Sequence, residues 1–307
     1  MTRATGGIRV ANAPLSYGAF EVTVGVYPNV PGPDELLAEI AAAGYHGTEL
    51  GPPGYLGTPE ELRERLARAR LELTGGYIPI HFSQRERWEA DFAAMQSSLA
   101  LLTAAGTEET RPVLADAGSP ARHANPGRGA EDPSLGLDDA GWRVLAEGVA
   151  RAADACRSAG LEPTFHHHTA SYVEAPWEIE RLLELTDVGV LVDTGHMYVG
   201  GGDPVQVLRE WGDRVNYVHV KDVRLDVLRG VVVDRADMVE AWRRGIFCEL
   251  GEGDVPLPAF FAALRDARYA GWIVVEQDRI PRADEPLTES AEAQARNRQW
   301  LREHAGV

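Results

Sequence analysis

Short aliphatic runs alternate along this chain with longer stretches in which apolar positions recur every three or four residues. The short runs predict strands at 8–13 (IRVANA), 46–50 (HGTEL), 72–78 (ELTGGYI), 112–116 (PVLAD), 161–166 (LEPTFH), 188–193 (VGVLVD), 215–220 (VNYVHV) and 272–276 (WIVVE). The amphipathic stretches predict helices over 34–43, 59–70, 85–105, 138–159, 176–186, 204–211, 257–268 and 287–304. Strict alternation of this kind implies a parallel sheet, because parallel strands need crossover connections. Eight strand–helix units close a single (β/α)8 TIM barrel over 1–307. The rival, an open doubly wound sheet, would carry a glycine-rich phosphate loop after the first strand, and the sequence has none there.

Local signals support these boundaries. Thr58-Pro59-Glu60-Glu61 places an N-cap, a proline at the first helical position and a capping-box glutamate in order. Ala-Gly pairs at 43–44, 105–106 and 159–160 fit helix ends that turn into the next strand. Gly200-Gly-Gly-Asp203 reads as a flexible lead-in to the sixth helix with Asp203 as its N-cap. Two long loops stand out, 117–137 after the fourth strand and 223–256 after the seventh, the latter with a short helix expected at 234–243. Both leave the C-terminal ends of strands, the face on which barrel enzymes build their sites.

Composition narrows the partners. A chain of 307 residues suits one barrel of about 250 residues plus insertions. A net charge of −17 argues against nucleic acid or an anionic membrane as partner, since both require a basic footprint. A small molecule is the expected partner, with homo-oligomerisation left open. Cys156 and Cys248 follow no metal or redox spacing and read as buried thiols. The N-terminus lacks the apolar core of a signal peptide, and no apolar run reaches bilayer length, so a cytoplasmic protein is expected. Of the 30 basic residues only Lys221 is a lysine. An ammonium can lose its proton within a site where a guanidinium effectively cannot, which makes Lys221 a candidate catalytic group.

Chemistry gathers at the strand ends. They carry Glu49, Asp116, His166-His167-His168, Asp193, His219 with Lys221-Asp222 beyond it, and Glu276; His196 follows Asp193 by three residues. Glu49 could cap the next helix instead, and Asp116 could organise a loop. For Asp193, His219 and Glu276 a structural role is harder to maintain. Each ends an aliphatic run and turns the strand polar at the mouth, where an unpaired charge is costly. Alternation sends His166 and His168 to one face and His167 to the other. The first two are taken as facing the barrel axis and His167 as facing the helices. Mixed carboxylates and imidazoles without thiolates suit one divalent metal ion, Mn²⁺ or Co²⁺ first and Zn²⁺, Fe²⁺ or Mg²⁺ next, rather than Ca²⁺. Tyr17, Tyr55, Phe82 and Tyr198 are aromatic candidates for the substrate wall, with ordinary packing an equal alternative for each.

This ordered set resembles the xylose isomerase-like TIM barrels, and within them the inosose (2-keto-myo-inositol) dehydratases. The segments that carry the likeness are Gly47-Thr-Glu-Leu-Gly-Pro-Pro-Gly-Tyr55, Thr164-Phe-His-His-His168, Asp193-Thr-Gly-His196, His219-Val-Lys-Asp-Val-Arg224 and the stretch from Gly245-Ile-Phe to Gly251-Glu-Gly-Asp254. The resemblance implies metal ligation by Asp193, His219 and Glu276. A fourth ligand, an acid on the fifth strand of most relatives, is replaced here by histidine, with His166 the choice. Glu162 shares its parity but lies about 13 Å down the strand and cannot reach.

That departure favours a dehydratase acting on a keto-polyol through an enolate. An epimerase usually needs two opposed acid–base groups, and a histidine in place of one carboxylate weakens that arrangement. Glu276, Glu49 or a histidine would take the α-proton, and Lys221, His196 or a fifth-strand histidine would protonate the leaving hydroxyl. His166, His168, His196, Arg224 and Tyr55 are expected around the substrate. A sugar isomerase or epimerase, or a 3-keto-glycoside lyase, on the same metal site is the alternative enzyme; a barrel that only binds a polyol is the non-enzymatic one.

Overall fold

The computed structural model describes residues 7–286 and 288–307. The N-terminal segment searched for a signal peptide lies almost wholly outside them, as does Leu287, the first residue of the last expected helix. The barrel strands are β1 (Ile8–Asn12), β2 (Gly47–Glu49), β3 (Glu72–Ile80), β4 (Arg111–Asp116), β5 (Thr164–His166), β6 (Gly189–Asp193) and β7 (Val215–Val220); after a small ribbon of β8 (Asp222–Val223) and β9 (Phe247–Cys248) comes β10 (Gly271–Val275). They close in the order β1-β10-β7-β6-β5-β4-β3-β2, every neighbouring pair parallel. Eight strands ringed by helices make this the TIM barrel that the alternation implies.

Alternation along the strands sorts the core into two layers. Ala11, Val113, Leu191, Tyr217, Trp272 and Val274 fill the barrel interior, while Val190, Val192, Val218, Val220, Ile273 and Val275 join the layer between strands and helices. Leu191, Tyr217 and Val274 are each followed two residues later by Asp193, His219 and Glu276. The inward apolar column of each strand thus ends in a polar group at the mouth. The pairing of β6 with β7 sets Asp193 opposite His219, and that of β7 with β10 sets His219 opposite Val274.

Several expected boundaries shift. β5 is only three residues long, since Pro163 cannot donate to a ladder and delays pairing to Thr164. The helix Thr194–Val199 follows β6 at once, capped by Asp193, in a stretch too short to show a period. In the second insertion the single helix expected at 234–243 is two, Leu225–Asp234 and Met238–Arg243. A left-handed Arg235 ends the first, and Asp237 caps the second. The capping box at Thr58 and the Asp203 N-cap form as anticipated.

Both insertions are pinned by buried carboxylates. Asp222 accepts from the backbone N–H of Val223, Gly251, Gly253 and Val255 and so folds the second. In the first, Asp116 accepts from Gly118 and Tyr172, the loop-organising role weighed for it. Burial raises its pKa to about 6 even against those two bonds. Arg122, fully buried, forms a two-pronged pair with Glu178 at 3.1 and 3.1 Å and lies 3.6 Å from Glu174. Glu174 in turn accepts from the N–H of Gly127, Gly129 and Ala170. This latch ties the first insertion to the turn after β5, where Ala170 holds a left-handed φ of 68°.

Replacing Arg122 by alanine leaves two carboxylates buried without their cation. A loss of about 3–5 kcal/mol is expected in urea unfolding, and a loss below about 1 kcal/mol would show that the latch is not a structural element.

Candidate functional site

Six side chains meet at the C-terminal mouth of the barrel. His166, Asp193, His219 and Glu276 bring one potential ligand atom each to within 4.8 Å of the others. His219 Nδ1 lies 2.9 Å from Glu276 Oε2 and 3.6 Å from Asp193 Oδ2, and His166 Nε2 lies 3.7 Å from that same Asp193 oxygen. Lys221 Nζ completes the group, 2.7 Å from Glu276 Oε2 and 3.1 Å from Asp193 Oδ2. Asp278 adds a further carboxylate 3.0 Å from the ammonium. All are buried.

Asp193 divides its work between its two oxygens. Oδ1 accepts from the N–H of Gly195 and His196 at 2.8 Å each, capping the helix that begins at Thr194. Oδ2 is buried, points into the cluster and makes no hydrogen bond. Position 195 requires glycine, because a Cβ there would stand 2.6 Å from Lys221 Cβ and 3.1 Å from the Phe247 ring.

His219 is held from behind. Its Nε2 bonds Glu49 Oε1 at 2.9 Å, which turns Nδ1 toward Asp193 and Glu276. Burial alone would depress this imidazole, but Glu276 and Glu49 outweigh it and hold its pKa well above the usual value. Burial likewise works against the Lys221 ammonium, and Asp193, Asp278 and Glu276 more than offset it. Glu276, buried but facing His219 and Lys221, is drawn down to about 2, and Asp193 goes well below its usual range beside Lys221 and His196. Burial pushes His166 well down and His168 to about 4, leaving both as neutral imidazoles.

The donor set fits a divalent cation. Two anionic oxygens and two imidazole nitrogens converge, and Asp193 Oδ2 and His219 Nδ1, buried without a hydrogen bond, meet only ion-pair neighbours within the cluster, so a metal ion would give both a coordination partner. Glu49 behind His219 is the carboxylate that commonly orients a metal-binding histidine.

Residues 37–304 match the family described as xylose isomerase-like TIM barrel. The chain belongs to that family. It is 35% identical over 298 residues to an inosose dehydratase of Geobacillus kaustophilus, covering 94% of this chain and 93% of that one. It is 34% identical over 258 residues to the rhizopine catabolism protein MocC of Rhizobium meliloti, with 83% and 77% covered. A crystal structure of the IOLI protein with a binding zinc atom superposes with a TM-score of 0.67 at 13% identity, over 96% of this chain and 99% of that one. The family read from the strand-end motifs is thereby borne out.

Within this family fold the other expected residues fall into two groups. His196 and His168 reach the centre, their ring centroids 4.0 Å apart and the planes tilted 39° to each other. His196 Nδ1 meets Thr169 Oγ1 at 2.7 Å and its Nε2 meets Lys221 Nζ at 3.0 Å. The Thr169 backbone N–H also donates to Nδ1 at 3.3 Å, so both ring nitrogens of His196 are engaged. His168 Nδ1 bonds the Thr169 carbonyl at 2.8 Å, which fixes its proton there and leaves the Nε2 lone pair free. His167 turns outward onto Trp211, and its Nε2 accepts from the Asp193 N–H.

The second group stays away. Arg224 pairs with Glu252 at 2.8 Å on the surface, its side chain 42% exposed, because the backbone turns there into the helix at Leu225. Tyr55 donates to the Pro31 carbonyl and faces the helix Pro33–Ala43. Tyr17 and Phe82 lie in the layer between strands and helices, and Tyr198 packs at its edge. Glu162 pairs with Arg157 at the opposite end of β5.

Aromatic walls come from elsewhere. Tyr77 lies 5.8 Å from the His168 ring, and Phe247 lies 5.2 Å from His196. Asp278 was missed although it follows Glu276 by two residues, the same inward parity; the strand pattern had ended by then. Tyr77 was hidden within a predicted strand interior.

Removing Glu49 with Glu49→Ala should weaken metal affinity about 10–100-fold while the barrel stays folded, measured by chelator competition. Asp193→Ala should abolish binding. Unchanged affinity in both would rule out this ligand set.

Proposed function

We propose that this protein is a metal-dependent hydro-lyase that removes water from a cyclic keto-polyol of the 2-keto-myo-inositol type. The observation that carries the reading is the state of the acid–base groups around the cluster. Glu49 is committed to His219, Lys221 and both nitrogens of His196 are committed to partners, and Glu276 and Asp193 face the ligand position. His168 alone combines a fixed tautomer, an unengaged nitrogen and partial exposure at the mouth. One mobile proton site suits an elimination better than an epimerisation, which needs a group on each face of the substrate.

A divalent ion held by His166, Asp193, His219 and Glu276 would supply a Lewis acid for the ketone. The cluster supports such an ion, as does the zinc in the IOLI protein of the same fold. Mn²⁺ or Co²⁺ suits the mixed donor set, with Zn²⁺ next.

His168 Nε2 takes the α-proton, and the C–H electrons move toward the ketone. The β C–O bond then breaks as a C=C bond forms, and the hydroxyl leaves as water with the proton returned from His168. In a ring ketone whose hydroxyls are equatorial, the axial α-proton and the neighbouring hydroxyl share a face, so one imidazole can serve both steps. Lys221 contributes a fixed positive charge rather than a proton, since three carboxylates hold it as ammonium. Tyr77 and Phe247 flank the substrate position. The inosose dehydratases at 35% and 26% identity support this substrate class. Among the described residues no helix is long and apolar enough to cross a membrane.

Metal-loaded protein given 2-keto-myo-inositol should generate a new ultraviolet absorbance from the dehydrated dione. Interconversion of ketoses without that absorbance would make it an epimerase instead. His168→Ala should lower kcat by about 10²–10⁴-fold with metal content retained; a smaller loss would move the proton-transfer role elsewhere.

A further inference from the structure

The ammonium of the chain's only lysine sits in a shell suited to a metal ion. Lys221 Nζ lies 2.7 Å from Glu276 Oε2, 3.0 Å from Asp278 Oδ1, 3.1 Å from Asp193 Oδ2 and 3.0 Å from His196 Nε2. Three carboxylates and an imidazole, each at most 3% exposed, form a donor set that a divalent ion would also take. Two of these oxygens, on Asp193 and Glu276, also face His219 Nδ1 in the proposed metal site. Two cation positions that share carboxylate oxygens form the pattern of dinuclear centres, whose ions lie about 3.5–4 Å apart.

The fold holds the lysine in that position. Thr194 Oγ1 bonds both the carbonyl and the N–H of Lys221, at 2.7 and 2.9 Å. Gly195 leaves room for the stem, since a Cβ there would come within 3.3 Å of Lys221 Cδ. His166, His168 and His196 form a second group with metal-ligand spacing, yet both nitrogens of His196 are already engaged, by Lys221 Nζ and by Thr169.

We infer that Lys221 sets the metal content of this centre at one ion, its ammonium filling the position that a second divalent ion would otherwise occupy. The inference rests on the one-metal reading above. Glu49, Asp193, Glu276 and Asp278 are all buried, and one divalent ion with the ammonium offsets most of their charge. Removing the ammonium leaves an anionic pocket already lined by Asp193, Glu276, Asp278 and His196.

The test is the Mn²⁺ content per chain of the full-length protein, with the electron paramagnetic resonance spectrum as a second readout. Wild type should bind one ion with an uncoupled spectrum, even at saturating Mn²⁺. Lys221→Ala should bind two and show exchange coupling, and adding Asp278→Asn should return it to one. Lys221→Met, which removes the charge but keeps the bulk, should stay at one. Lys221→Ser gives the same reading as alanine if the alanine variant does not fold. One ion in a folded alanine or serine variant overturns the inference, as does a wild type that takes two ions into the cluster. A wild type that binds none overturns the one-metal reading itself.

Discussion

Glu49, Asp193, Glu276 and Asp278 lie at the barrel mouth with no more than 4% exposure, and compensating their charge is the constraint on which the rest of the site depends. Buried carboxylates are costly unless opposite charge and hydrogen bonds surround them. Lys221 supplies part of that charge as a buried ammonium, and a divalent ion held by His166, Asp193, His219 and Glu276 would supply the remainder. The barrel makes the arrangement possible, since parallel strands place polar termini side by side above a buried apolar interior.

Hydrogen-bond accounting separates the structural carboxylates from the chemical ones. Asp222 spends its oxygens on four backbone N–H groups, Glu174 on three, and both build loops. Asp193 is divided, one oxygen capping a helix and the other aimed into the cluster without a hydrogen bond. The loops pinned in this way are not incidental to the site. The turn that presents His168 and Thr169 is held by Asp116, which accepts from Tyr172, and by Glu174, which accepts from Ala170 at its left-handed φ. Strain of this kind persists only where the surroundings over-determine it, and here they also fix the histidine.

The chemistry follows from which lone pairs are left over. Histidines are plentiful at the mouth: neighbours engage both nitrogens of His196 and one each of His168 and His219, while His166 and His219 face the ligand position. Outside the metal-ligand set, His168 Nε2 is the unengaged and partly exposed nitrogen, which suits the proposed movement of a single proton on one face of a substrate. Dehydration needs no more than that.

Period and parity in the sequence determined the strand–helix alternation, the columns ending in Asp193, His219 and Glu276, and the split of His167 from His166 and His168, because these depend on local backbone geometry; which side of the fifth strand faces inward came from the tertiary structure. The same parity contained Asp278, two residues beyond Glu276, where the aliphatic run had ended and the signal with it. Tertiary structure alone decided which groups meet. Glu49 reaches His219 across 170 positions of sequence, and Lys221 finds three acids from β6 and the end of β10. Arg224 and Tyr55, placed near the mouth by their motifs, turn to Glu252 and Pro31 instead. Those contacts depend on barrel register and on the paths of the insertions, which no periodicity along the chain encodes.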